Sequence, residues 1–89
     1  MAAKIQYTHI LGFVEDKDTQ AKMSEVLAKK PHTRIINFYS KILEDLLLAA
    51  KYRAVDRPTM IVLNGDRVVA RLCRIPDDTI LTNLEPILG

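Results

Sequence analysis

Tryptophan is absent from this chain, and cysteine occurs once, as Cys73. A single thiol cannot close an intramolecular disulfide or supply a multi-cysteine metal site, and it suits a reducing compartment. Aromatic residues make up only 6% of the sequence, and no aromatic–basic stripe of the kind that stacks on bases is present. The net charge of +2 is too small to point to nucleic acid by itself. Glycine is scarce, at three residues, and none is set in a phosphate loop or a dinucleotide fingerprint. No apolar run approaches the ~20 residues of a membrane span, and the stretch from Met1 to Tyr7 has no apolar h-region. The expectation is a cytoplasmic protein without a membrane or nucleic-acid partner.

The 89 residues amount to one domain, residues 1–89. A chain of this size buries roughly 60–65% of the surface its unfolded form exposes, enough for one core. Hydrophobic residues make up 48% and charged residues 27%, an ordinary globular balance that argues against disorder.

The first apolar run, Ile10-Leu11-Gly12-Phe13-Val14, is short and continuous, as in a strand buried on both faces. Asp16 or Asp18 follows as an N-cap. A helical pattern runs from Thr19 to Lys29, with Met23, Val26 and Leu27 on its apolar stripe, and Pro31 stops it. The β-branched and aromatic stretch Thr33–Tyr39 predicts a second strand. Ser40 caps a second helix, whose buried stripe is expected to be Ile42, Leu43, Leu46, Leu47, Ala50 and Ala54. Leu48, Tyr52 and Val55 fall on its other side. Asp56-Arg57-Pro58 ends that helix, and Thr59–Leu63 forms a third strand. Asn64-Gly65 predicts a type I′ hairpin turn. Alternation from Arg67 to Ile75 predicts a fourth, edge strand. A last helix begins at Pro76-Asp77-Asp78 and buries Ile80, Leu81, Leu84, Ile87 and Leu88, and Pro86 ends or frays it.

The element order is therefore βαβαββα. Two strands joined by a helix should be parallel with a right-handed crossover, and the last two strands should form an antiparallel hairpin. This order, together with Arg57-Pro58-Thr59-Met60-Ile61-Val62-Leu63-Asn64-Gly65-Asp66, resembles the thioredoxin/glutaredoxin superfamily from about Thr8 to Leu88. The decapeptide is similar to that family's run of cis-proline, threonine, apolar strand and Asn-Gly turn. The resemblance implies an α/β thioredoxin-like fold: a four-stranded mixed sheet with helices on both faces, and Pro58 cis at the head of the third strand.

The departure from the family is chemical. Its Cys-x-x-Cys pair opens the first helix, where the helix dipole generates the thiolate. Here Asp18-Thr19-Gln20-Ala21-Lys22-Met23 occupies that place and holds no thiol. Dithiol exchange is excluded, and no enzyme activity, catalytic residue, metal or cofactor is expected. The resemblance implies a redox-inactive binding or adaptor domain for a protein or peptide partner. Its groove would be formed by Asp18, Thr19, Ala21, Arg57, Pro58, Thr59 and Cys73, and an extended strand gives main-chain hydrogen bonds to any partner.

Alternatives stand beside this reading. Cys73 could act as a monothiol of the glutathione type, although most free cysteines are small buried hydrophobes, and burial is the expectation here. Leu48, Tyr52 and Val55 are a candidate contact patch for a homodimer. Lys51, Arg53, Arg57, Arg67, Arg71 and Arg74 are expected to be a solvated surface, with an anion site at the groove as the sharper alternative. His9 and His32 are far apart in sequence, with no acid or thiol spaced to make them ligands.

Overall fold

The computed structural model describes residues 4–37, 42–54 and 58–87. Its elements are β1 (Ile5–Tyr7), β2 (His9–Val14), α1 (Lys17–Leu27), β3 (Thr33–Asn37), α2 (Leu43–Lys51), β4 (Thr59–Asn64), β5 (Arg67–Leu72), α3 (Asp78–Thr82) and β6 (Leu84–Pro86). Four strands form a mixed sheet in the order β3-β2-β4-β5, while β1 and β6 form a second, two-stranded sheet. Strand β2 runs parallel to β3 and antiparallel to β4, and β4 and β5 are an antiparallel hairpin. The parallel pair and the hairpin are as expected from the sequence.

Strand alternation divides the interior in two. Ile10 and Val14 of β2, with Met60 and Val62 of β4, face α1, α3 and the small sheet, where they pack with Met23, Leu27, Leu81, Leu84 and Tyr7. Leu11, Phe13, Ile61 and Leu63 face the other way, onto Tyr52 and Ala54 at the end of α2. Helices thus cover both faces. Gly12 sits on the α1 side, where a Cβ would lie 2.8 Å from Met23 Cγ and 3.0 Å from Leu27 Cδ1. That clearance lets α1 approach the sheet closely.

Helix α1 begins two residues earlier than the periodicity predicts. Asp16 is its N-cap and accepts a 2.7 Å hydrogen bond from Thr19 N. Helix α2 ends in a Schellman arrangement: Arg53 has φ of 51°, Ala54 N donates to Ala49 O at 2.9 Å, and Arg53 N donates to Ala50 O at 3.2 Å. This pattern closes a helix by satisfying its last carbonyls. The guanidinium of Arg71, on β5, adds hydrogen bonds to the carbonyls of Tyr52 and Arg53. Arg71, read from sequence as plain surface, therefore ties β5 to the end of α2. The residues expected to start and extend α2, Ser40 and Val55, lie outside the described residues.

Three expectations are corrected. The order is ββαβαββαβ rather than βαβαββα, because β1 and β6 pair in parallel through Ile5↔Leu84 and Tyr7↔Pro86. The last helix is only five residues long: Pro86 cannot sit inside a helix, so Leu84 enters a strand instead. The hairpin turn is centred on Gly65 and Asp66, since Asn64 pairs with Arg67. Gly65 is the turn residue with positive φ, 63°, which is the glycine-first type II′ pattern rather than I′.

The face of α2 is the fourth and largest correction. Tyr52 is 7% exposed and belongs to the core, and Leu48 packs against it. Ile42, Leu43, Leu46 and Leu47 are 56%, 67%, 40% and 59% exposed. The sequence expectation had these two stripes reversed. Asp45, Leu48, Ala49 and Tyr52 share the inner stripe at i, i+3, i+4 and i+7. Asp45 is buried there and pairs with the Arg34 guanidinium of β3. A carboxylate on that face enters the fold because a cation waits opposite it. With Tyr52 buried and Leu48 half-buried, these two residues do not form the exposed patch expected of them, and Val55 lies outside the described residues.

Candidate functional site

The strand register decides which of the expected groove residues share one end of the sheet. Phe13 lies opposite Thr59, so one step further brings Pro58 level with Val14. Asp16, the cap of α1, follows two residues after Val14. On the other side of β4, Met60 lies opposite Leu72, so the next pair along is Thr59 and Cys73. Val14 in turn lies opposite Asn37. The start of α1, Pro58, Thr59 and Cys73 are therefore brought to the same end, where the parallel strands β2 and β3 finish. In open α/β sheets this end is where ligand crevices form.

The individual side chains differ in accessibility. Asp18 and Ala21 are exposed, Thr19 and Pro58 are half-buried, and Thr59 is 1% exposed. Cys73 is exposed, which overturns the expectation of a buried hydrophobe. It follows the last residue of the edge strand, where half of the surroundings are solvent. Arg57 lies outside the described residues. The carboxyl of Asp16 is held below its usual range, first by the hydrogen bond from the Thr19 backbone N–H and then by the Thr19 side chain. Of the two early acids, Asp16 is thus the cap, and Asp18 is left at the surface. Gln20 of α1 accepts a 2.9 Å hydrogen bond from Asn37 Nδ2, which fixes the first turn of α1 over the end of β3.

A separate cavity of about 470 Å³ opens at the opposite end of the sheet, on the α2 side. Its walls bring together His9, His32, Arg34 and Lys51, which are spread over more than forty residues of sequence. Spacing along the chain carried no signal for it: His9 enters from the first residue of β2, and His32 from the loop before β3. Among the described residues no group of three or more His, Cys, Asp or Glu side chains could hold a metal ion. No helix among them is long and apolar enough to cross a membrane.

Comparison with known proteins supports the fold alone. No family model matches the chain, and no curated protein matches it. A solved structure described as that of a malarial protein superposes with a TM-score of 0.53 at 16% identity, covering 82% of this chain and 86% of that one. At that identity the likeness concerns the path of the backbone.

Proposed function

We propose that this chain is a thioredoxin-like protein-binding domain that carries out no dithiol chemistry. The parallel pair, the antiparallel hairpin and the helices on both faces support the thioredoxin-like assignment. The single cysteine of the sequence leaves no partner for an intramolecular redox pair.

The observation that carries the binding reading is the outward stripe of α2. Leu43, Leu46, Leu47 and Ala50 stand at i, i+3, i+4 and i+7, and all four are exposed. That spacing is how a helix presents anchors to a partner helix or groove. A contiguous exposed aliphatic patch on a small domain marks an association surface. The inner stripe already secures α2 to the sheet, so the outer one is available to a partner.

The test is sedimentation velocity of the wild type and of a Leu43→Lys/Leu47→Glu double variant, together with co-purification from native extract. A self-associated or partner-bound wild type that becomes a lone monomer in the variant is the expected result. A wild type that is monomeric and unaccompanied in extract would refute the reading.

A second contact, at the Pro58 end of the sheet, is favoured by the exposure of Cys73 opposite Thr59. In this reading an extended peptide lies beside Pro58. Amide shifts on Thr19, Thr59 and Cys73 upon partner addition, retained in Cys73→Ser, would support it. Loss of binding with the thiol would favour mixed-disulfide or glutathione-type chemistry at Cys73 instead.

A further inference from the structure

We infer that the cavity beneath the C-terminal end of α2 is a binding site for a small organic carboxylate with an aromatic or branched apolar body. This site is independent of the outward stripe of α2 and of the Pro58 end of the sheet. Its volume of about 470 Å³ falls within the range of roughly 300–1,000 Å³ of small-molecule pockets. Leu48 and Lys51 of the last turn of α2, with its cap Tyr52, form one wall of the cavity, and the start of β2 and the Gly65-Asp66 turn form another.

The cavity has an apolar floor and a cationic rim. Leu11, Leu48, Leu63 and Tyr52 supply the apolar surface. Lys51 and Arg34 supply the fixed positive charges, and Asp66 is the carboxylate among the lining residues. The Lys51 ammonium stands 5.3 Å from the centroid of the Tyr52 ring, so the positive charge is poised at the boundary between floor and rim. Arg34 meets Asp45 through Nη2, and a guanidinium fork carries further N–H groups able to serve a second anion.

The His9 ring and the His32 backbone are each held in place. Thr8 Oγ1 accepts from Gly65 N at 2.8 Å and donates to Leu63 O at 3.3 Å. His9 Nδ1 lies 3.1 Å from the same oxygen. Through Thr8 this contact ties the His9 ring to the Gly65-Asp66 turn. His32 adopts φ of 60°, a left-handed backbone uncommon for a residue with a side chain. Its carbonyl accepts from Ile10 N at 3.0 Å, which locks that bend against β2.

An aryl carboxylate fits this arrangement: the ring on the leucines and Tyr52, the carboxylate toward Lys51 and Arg34. The probe is 2-naphthoate, titrated into the ¹⁵N-labelled chain, with neutral 2-naphthamide as comparison. Saturable shifts are expected at Leu11, His32, Leu48, Gly65 and Asp66. The acid should bind roughly fivefold or more tightly than the amide, the scale of one charge-assisted hydrogen bond. Lys51→Gln, a change at an exposed position, should erase most of that preference while leaving the remaining spectrum in place. No saturable shifts, shifts confined to Leu43–Leu47, or equal affinity for acid and amide would each overturn the inference. A preference that survives Lys51→Gln would also overturn it.

Discussion

Gly12 shows how a single missing side chain sets the distance between two layers. An added methyl would meet Met23 Cγ at 2.8 Å, Leu27 Cδ1 at 3.0 Å and Ile35 Cδ1 at 3.2 Å. Met23 Cγ lies mid-chain, and although the other two contacts are terminal methyls, Met23 and Leu27 are both held in the core. Gly12→Ala should therefore cost about 1–3 kcal/mol, the usual range for overpacking, read as a lower urea midpoint at unchanged slope. An unaffected midpoint would mean that α1 is held further from the sheet than described. Asp16 makes a different prediction, about acid. Its folded carboxyl is stabilised as the anion by the Thr19 N–H, so its value lies below that of the unfolded chain. The contribution of the charged cap is complete above the ordinary carboxylate range and is lost as pH falls through the folded value. Asp16→Asn keeps a good cap but removes the charge. The urea midpoints of wild type and Asp16→Asn should differ near pH 7 and converge as pH falls below the usual carboxylate range and through the folded value. A gap of constant size across that interval would contradict the assignment.

At the scale of elements, α2 is the case where periodicity was insufficient. Its sequence contains two apolar stripes, each at helical spacing, and hydrophobicity alone ranks the wrong one inward. The deciding residue is polar: Asp45 is buried against Arg34, and that pair rotates the helix so that Leu48 and Tyr52 follow it to the sheet. Which stripe faces inward is measurable. Tyr52→Ala should cost about 3–5 kcal/mol, as for other large aromatic truncations in cores, whereas Leu47→Ala should stay within about 0.5 kcal/mol, as at an exposed site. Equal costs in denaturation would show that both stripes are packed. The strands were easier to read. β2 and β4 are runs buried on both faces, and β5 is the expected edge, but its alternation breaks where Val69 stands between the pairs Val62↔Ala70 and Leu63↔Val68. β1 and β6 escaped because three residues are too short for a period to register. Pro86 was the available clue, since a proline inside a supposed helical stripe argues for a strand edge. The site followed the same division. The sheet end with Pro58 follows from register and could be anticipated, while the cavity is assembled from β2, the loop before β3, the end of α2 and the β4–β5 turn, which meet only in the fold.

The whole molecule depends on how its small sheet is joined to its large one. β1 and β6 form no part of the four-stranded sheet, yet Tyr7 and Leu84 lie in the same core as Ile10, Met23 and Val62. Polar contacts reinforce the join: Tyr7 OH donates to Pro31 O at 3.0 Å, and Lys30 Nζ donates to Leu84 O at 2.8 Å. Both contacts bind the small sheet to the loop between α1 and β3, which also carries His32. Leu84 is 2% exposed, so Leu84→Ala should cost about 2–5 kcal/mol, a large share of the roughly 5–15 kcal/mol available to a domain. The mode of failure separates two architectures. If the small sheet is an integral layer, hydrogen exchange at Ile5 and Ile87, whose amides bond to Asn83 O and Tyr7 O, should accelerate together with that of Val62 in the variant. If it is an appendage, Ile5 and Ile87 should exchange faster while Val62 keeps its wild-type protection. The shared core predicts the first outcome, because removing Leu84 leaves a cavity against residues of both sheets and lowers the cost of opening for each.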